Sequence, residues 1–348
     1  MGFYKMVEWL IKAKERGYKM KKQWQILIVL SLICSMSLVG CSSTKEVKVK
    51  YPEKPITIHV GYAAGGGTDL MAREIGKYIT KKTGQPVVVV NQPGGGGSIA
   101  IGDVAQKAPD GYELAFMTNG ALLVNPQLNN LGFTYEKDIT PLALVSTAPL
   151  ALAVRADSKF KTLEELLEYA KANPNKITYA SGGQGSTGQL VIEDIAIYKG
   201  GIKFNFLPNT NIPQSLAELL GGHIDAYSIN IATFKENYEA KKIRVLAVSA
   251  KERLKDFPDV PTYEELGYKG TETYNPLFGF VGPANMPAEI VNTLDELFKG
   301  ACEDPEVIAG FNKINYGVAY LNSKDFKVRL DNDIKVLSNI LQTLGMKK

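Results

Sequence analysis

Two stretches of this chain share one design, and together they restrict its fold more than any other feature. Ile56-Thr57-Ile58-His59-Val60 alternates and is rich in β-branched residues, as a strand requires. It runs into Tyr62-Ala63-Ala64-Gly65-Gly66-Gly67-Thr68-Asp69, after which Met71, Ile75, Tyr78 and Ile79 recur at helical spacing. About 120 residues later Ile177-Thr178-Tyr179-Ala180 leads into Ser181-Gly182-Gly183-Gln184-Gly185-Ser186-Thr187-Gly188-Gln189, with an apolar helix pattern behind it. Glycine between a strand end and a helix start lets the backbone approach a ligand closely, with N–H groups pointing at it. The positive end of the helix dipole favours an anion there. The first loop therefore reads as a holder for a carboxylate or phosphate, with Thr68 or Asp69 capping the helix. The competing reading is a tight turn that binds nothing. The repeat in the second half predicts two similar domains facing one cleft.

The alternation continues elsewhere. Residues 85–90 read as a strand buried between neighbours, because both faces are apolar. They enter a further glycine loop, Asn91-Gln92-Pro93-Gly94-Gly95-Gly96-Gly97-Ser98, with a helix expected over 99–107. More strands are expected at 113–118, 148–154, 223–230, 244–250 and 277–281. Thr162-Leu163-Glu164-Glu165 and Thr262-Tyr263-Glu264-Glu265 have capping-box spacing, and Gly221-Gly222 is a C-cap pattern. Three amphipathic helices are expected near 287–300, 305–313 and 323–344. Strands alternating with helices predict an α/β fold with mostly parallel sheets, in which ligands bind beyond the carboxyl ends of the strands. Strand 148–154 leaves the first domain and 277–281 returns to it. The expected bounds are 51–152 plus 276–348 for domain I and 153–275 for domain II.

The net charge of +4 arises in the N-terminal segment. Residues 1–41 hold seven Lys/Arg and two Asp/Glu, and the remainder is near balance, with 33 basic and 34 acidic residues. That distribution carries no nucleic-acid signature. Lys19, Lys21 and Lys22 precede a 15-residue apolar run, Ile26 to Gly40. The run is short for a membrane span of about 20 residues but suits a signal-peptide core. Met20-Lys21-Lys22 has the form of a leader start, so Met20 is the expected initiator; Met6 excludes N-myristoylation at Gly2. Leu38-Val39-Gly40-Cys41 resembles the bacterial lipobox, whose cysteine is lipidated and becomes the mature N-terminus. The alternative is an unlipidated Cys41 beside a cleavage site. Residues 42–50 would form a polar tether reaching at most ~30 Å. The expectation is an extracytoplasmic protein, lipid-anchored to the bacterial cell membrane. Cys34 and Cys41 lie in the leader region, which leaves Cys302 without an intrachain partner, so no disulfide framework is expected.

Other chemistries fit poorly. Gly183-Gln184-Gly185-Ser186-Thr187-Gly188 matches G-x-G-x-x-G, but the acidic residue expected about 20 positions later is absent around Pro208. No glycine loop continues into Lys-Ser or Lys-Thr, which excludes a P-loop. His59 and His223 are the only histidines, and neither lies in a zinc or nucleophile pattern. No cofactor, metal or catalysis is expected. The enzyme alternative is an exported serine hydrolase pairing Ser181 or Ser186 with His223. His59 reads as a packed residue, Arg73 as structural, and Asp69 as either helix cap or site acid.

Several segments then acquire a common meaning. They are Tyr51-Pro52-Glu53-Lys54-Pro55-Ile56, Ala64 to Asp69 with Ala72-Arg73, Gly84 to Val89, Asn91-Gln92-Pro93-Gly94, and Pro109-Asp110-Gly111-Tyr112. Asn125-Pro126, Tyr179 to Ser186, Leu219 to Asp225, Leu246-Ala247-Val248 and Pro258 to Thr262 continue the series. In order and spacing they resemble the Bug (TctC-like) family, the solute-binding proteins of tripartite tricarboxylate transporters, over about residues 51–345. The resemblance implies a two-domain periplasmic-binding-protein (Venus-flytrap) fold with hinge crossovers. It implies a monomer that captures a small carboxylate and delivers it to membrane permease subunits; the alternative partner is a membrane signalling protein. It places the carboxylate between a first loop of Tyr62, Ala64, Gly65, Gly66, Gly67, Thr68 and Asp69 and a second of Ser181, Gly182, Gln184, Gly185, Ser186, Thr187 and Gln189. Backbone N–H groups, hydroxyls and water would do most of the holding. Asn119, Asn209 and Asn230 complete the expected contact set. The sequence departs from the pattern at Gly61-Tyr62 (usually Pro-Phe), at Pro208-Asn209-Thr210-Asn211 (usually a Tyr-Lys-Gly segment), and at Ser228-Ile229-Asn230 (usually containing Phe-Asp). Losing that acid would suit a ligand with negative charge or hydroxyls at its far end.

Overall fold

In the computed structural model, which describes residues 50–209 and 211–347, two sheets repeat one strand order. The leader and Cys41 lie outside the described residues. The first sheet holds β1 (Ile56–Val60), β2 (Val87–Asn91), β3 (Glu113–Thr118), β4 (Ile139–Thr147), β10 (Leu277–Pro283) and β11 (Val318–Leu321), in the order β11-β4-β10-β3-β1-β2. The second holds β5 (Leu150–Arg155), β6 (Thr178–Ala180), β7 (Asn205–Leu207), β8 (Ala226–Asn230) and β9 (Ile243–Val248), in the order β7-β6-β8-β5-β9. In each sheet the strand next to one edge runs parallel to both neighbours, β1 between β2 and β3, β6 between β7 and β8. An antiparallel strand follows, β10 in one and β5 in the other. Each of those arrives from the opposite lobe. The first crossover falls at Ala148-Pro149, so Leu150 to Leu152 already belong to the second sheet.

Local sequence explains most elements. Helix α1 (Gly67–Thr83) buries Met71, Ala72, Ile75 and Ile79, and Gly84 stops it in the left-handed conformation at φ +73°. Helix α2 (Ser98–Ala105) follows the second glycine loop. In α3 (Leu163–Ala172) the cap half of the expected box forms, Glu165 N–H donating to Thr162 Oγ1, while the Glu165 carboxylate accepts from Lys161 N–H, one residue before the cap. Helix α4 (Thr187–Tyr198) follows the Ser181 loop, and α5 (Ile212–Gly221) ends on Gly222. The chain closes with α6 (Ala288–Glu303), α7 (Pro305–Lys313) and α8 (Ser323–Thr343). Phe280 of β10 stacks on Phe298 of α6 with centroids 4.3 Å apart, a pairing worth about 1 kcal/mol beyond its burial. One continuous apolar cluster takes Leu122 and Val124 from the first lobe, Leu190 and Val191 from the second, and Phe326 and Leu337 of α8.

Two expectations need correction. Strand β2 is an edge strand, not a buried one: Val88 and Val90 stand 49% and 37% exposed. A run of valines cannot distinguish an edge from the middle of a sheet. The Thr262–Glu265 box makes both of its bonds, at 2.9 and 3.0 Å, yet closes a turn without a helix. Thr262 is instead held by a bridge to Val248 of β9.

Candidate functional site

The carboxyl ends of β1, β2 and β6 carry the three glycine loops singled out in the sequence. The first loop is built on glycine contact. A Cβ on Gly61 would overlap the Gly97 backbone, and one on Gly97 (φ +98°) would lie 2.8 Å from the Tyr62 ring. The Tyr62 hydroxyl donates to Gly96 O at 3.0 Å and pairs with Thr118 Oγ1 at 2.7 Å, so the residue locks two loops and β3 together. Burial raises its phenol, against a smaller pull from Thr118. Gly61-Tyr62 thus has a structural role in this chain.

Ala64, Gly65 and Gly66 are exposed, Gly67 and Thr68 half-buried. The N-cap of α1 is Gly66, which offers no side-chain acceptor, so neither Thr68 nor Asp69 caps the helix as expected. Its first-turn N–H groups are left to a ligand or water. Asp69, 1% exposed, reaches back to Gly65 N–H at 2.8 Å, accepts from Asn91 Nδ2 at 2.9 Å, and pairs with Arg73 through Nε at 3.0 Å and Nη2 at 2.9 Å. Burial would raise this carboxyl, but the hydrogen bonds from Arg73, Gly65 and Asn91 outweigh it and hold it below the ordinary range. Both oxygens are engaged, so Asp69 shapes the loop instead of acting as a free site acid. Arg73 is neutralised in the same cluster. Below both glycine loops, His59 pairs with Gln92 Oε1 and Glu113 Oε2, each at 2.6 Å, tying β1 to the ends of β2 and β3.

The second loop differs. Ser186 Oγ accepts from Gln189 N–H as the cap of α4 and pairs with Ser181 Oγ at 2.8 Å. Gln189 Oε1 accepts from Gly185 N–H at 2.8 Å. Ser181, Thr187 and Gln189 are buried, Gly182 and Ser186 half-buried, Gln184 exposed. His223 precedes β8, while the Ser181 loop leaves β6 beyond the Ala180–Tyr227 pair, so the two lie toward opposite ends of the strand pair. The serine–histidine pairing expected of a hydrolase is not formed.

The two loops meet. A Cβ on Gly185 (φ +74°) would lie 2.5 Å from Leu128 Cδ1 and 3.3 Å from Val124 Cγ1, both in the first lobe. Asn125 Nδ2 donates to Gly95 O and lies beside Gly96, and its Oδ1 would stand 3.7 Å from that same Cβ. Across the cleft Asn230 ends β8, its Oδ1 accepting from Thr233 N–H as a cap, while Tyr316 lies against Gly67 at the start of α1. Asn209 accepts from Asn211 N–H at 2.9 Å, at the edge beyond β7. Asn119 proves to be a hinge residue. Its Nδ2 donates to Asn275 O at 3.0 Å and its Oδ1 accepts from Leu277 N–H at 3.2 Å. Asn275 in turn accepts from Leu150 N–H and binds Ser249, so both crossovers close on one buried network.

Residues 71–346 match the family described as "Tripartite tricarboxylate transporter family receptor". The chain belongs to that family. Among solved structures it is similar to a TctC solute-binding protein from Polaromonas, at 31% identity and a TM-score of 0.70 over 84% of this chain and 99% of that one. It is also similar to MatC from Rhodopseudomonas palustris with bound malate, at 26% identity and a TM-score of 0.72 over 84% and 100%. Rpa4515 from R. palustris, with adipate, matches at 26% identity and a TM-score of 0.75 over 85% and 98%. The two-lobed architecture of this receptor is therefore the periplasmic-binding-protein fold, and its relatives are solute-binding proteins. Among the described residues no helix is long and apolar enough to cross a membrane, and no cluster of potential metal ligands occurs.

Sequence reasoning passed over several residues of the receptor's cleft. Asn91 and Asn125 stood in quoted motifs without a role; Thr118, Ser249, Asn275 and Tyr316 gave no local signal. Each acts through partners tens to hundreds of residues away, as Asn119 does with Leu277, and spacing cannot show that.

Proposed function

We propose that this receptor captures a small carboxylate between its lobes and delivers it to the permease of a tripartite tricarboxylate transporter. The observation that carries the reading is the uncapped start of α1 beside Gly65 and Gly66, in the lobe whose 124–128 segment the Ser181–Gln189 loop meets at Gly185. Helix N–H groups stabilise an anion without a positive side chain, and the one arginine beside this loop, Arg73, is already paired with Asp69. The binding set on this reading is Tyr62, Ala64 to Thr68, and Ser181, Gly182, Gln184 to Thr187 and Gln189, with Asn209 and Asn230 at the far side. The malate and adipate in related structures make dicarboxylates the leading class. The receptor acts by binding and closure, not catalysis; Cys41 carries a lipid that holds it outside the cytoplasm, and it works as a monomer. Its ligand shifts the lobes toward the closed state through differential contacts.

Thermal unfolding against malate, adipate, citrate, aromatic acids and amino acids tests this. An acid at 100 times its Kd adds about 2.7 kcal/mol. No shift with any carboxylate, together with turnover of an ester substrate, overturns the reading. For the anchor, Cys41→Ala moves the protein from the membrane to the soluble fraction; unchanged membrane retention argues against lipidation.

A further inference from the structure

Strand β9 lies at the opposite edge of the second sheet from β7. Its inner flank faces β5, where Ala156 N–H donates to Lys242 O at 3.0 Å and Ser249 N–H to Leu150 O at 2.7 Å. Antiparallel pairing alternates the direction of successive backbone groups, and the register skips Leu246, so Ile243, Val245 and Val248 present theirs to the outer flank. At Val248 the chain adds a piece of strand to itself. Val248 N–H donates to Pro261 O at 3.1 Å and Tyr263 N–H to Val248 O at 2.9 Å, so Thr262 pairs parallel with Val248. On that flank Ile243 and Val245 have no backbone partner among the described residues.

This open edge borders a groove of about 750 Å³. One side is built by Leu163 and Leu246, of the apolar cluster that takes in α3, with Lys161 and Arg244 at the rim. Both cations bond to backbone carbonyls, Lys161 Nζ to Ser158 O at 2.7 Å and Arg244 Nη1 to Phe160 O at 3.3 Å, and neither meets a carboxylate among the described residues. On the other side Tyr238 and Val260 belong with Ile243 and Val245 to a second apolar cluster. Glu239, Lys241 and Asp259 complete the charged lining, which leaves positive charge in excess.

We propose that this groove takes an extended segment of a partner polypeptide, added as a further strand beside β9. Carboxylates at alternate positions of that segment meet Lys161 and Arg244, and the apolar side chains between them pack on Tyr238 and Val260. Backbone groups of Ile243 and Val245 supply the ladder bonds, which hold an added strand whatever its sequence, while the walls select its side chains. The chain's own Pro261–Tyr263 segment shows that this edge accepts a strand, and it also closes one end of the site. The flank left open, residues 243–246, is about 13 Å long at ~3.3 Å per residue, so the occupant is short. The site uses none of the cleft residues.

The probe is an acetylated, amidated heptapeptide alternating valine with glutamate, added to the full chain. It should slow hydrogen exchange at amides 243 and 245 and leave amides 65–69 as they were. Titration should show it binding about ten-fold or more tighter than the same peptide with lysine in place of glutamate. The double variant Lys161→Glu, Arg244→Glu should reverse that preference, with thermal unfolding reporting that it is folded. A further arm needs only the wild type. N-methylation of alternate residues removes donors in one frame of the peptide at a time, and only one frame donates to β9. One methylated peptide should therefore lose binding about ten-fold or more while the other keeps it. Unchanged exchange at 243 and 245, equal binding of the lysine peptide, or equal losses in both methylated frames overturns the proposal. Protection of the same amides on raising the protein concentration alone makes a second copy the occupant and overturns it as well.

Discussion

Gly185→Ala should weaken ligand binding by acting on the closed state. The substitution has two separable costs. Holding alanine at φ +74° costs about 1–2 kcal/mol whether the lobes are open or closed, so it lowers stability without touching affinity. The new methyl also meets the other lobe, 2.5 Å from Leu128 Cδ1 and 3.3 Å from Val124 Cγ1, against ordinary carbon contacts of about 3.5–4.0 Å. Leu128 is half-buried and can swing away at a cost of about 1 kcal/mol, but Val124 is fully buried and β-branched. The interlobe part should therefore come to about 1–3 kcal/mol, a drop in affinity of about five- to 150-fold. Calorimetric titration with malate or adipate measures it, and unfolding of the unliganded protein measures the backbone part separately. Leu128→Ala opens the space, so the double variant should recover most of the lost affinity. The reasoning is refuted if Gly185→Ala binds like the wild type, or if adding Leu128→Ala restores nothing.

Three further outcomes follow from named contacts. Gly61→Ala puts a methyl into the Gly97 backbone, which cannot swing aside, and should cost about 3 kcal/mol or more in urea unfolding; a loss under 1 kcal/mol contradicts the interlocked loops. Asp69 is held below its unfolded range, so its contribution is present above about pH 4 and lost as pH falls through the folded value. Asp69→Asn should thus cost about 1–3 kcal/mol at pH 7, and the gap from wild type should shrink in acid; a constant gap from pH 7 to pH 3 argues against the linkage. Asp333 of α8 behaves in the opposite sense: burial lifts it to about 6 despite its pairing with Arg329. Its protonated form favours folding below about pH 4, and that benefit, on the order of 3 kcal/mol, is lost as pH rises through 6. Asp333→Asn should flatten this slope in unfolding measured from pH 4 to pH 7, and an unchanged slope would remove Asp333 as its source.

What was legible in the sequence was local. Strand, glycine loop and helix follow one another within a dozen residues at Tyr62 and again at Ser181, and that repeat foretold two matching lobes. The Thr162 cap and the Gly222 stop also depend on near neighbours. Where residues serve partners far along the chain, the reading failed. Asp69 looked like a cap, yet its neighbour Gly65 and the distant Asn91 draw it into the loop. Asn119 looked like a cleft residue and belongs to the hinge. Four consecutive valines in β2 gave no hint that one flank of the strand meets solvent, because edge position depends on which strands pair and not on composition.

The exchange of one antiparallel strand between lobes bears on how the protein is made. The second sheet needs only residues 150–248 and is contiguous, so it can be finished as soon as that stretch has emerged. The first cannot, because β10 lies at its middle, between β3 and β4. Until Leu277–Pro283 arrives, β4 has no partner beside β3, and the Tyr62 loop rests on half a sheet. Binding competence therefore comes last, after nearly the whole chain has been threaded out. A chain cut short before β10 would yield a closed second lobe with no partner to close upon.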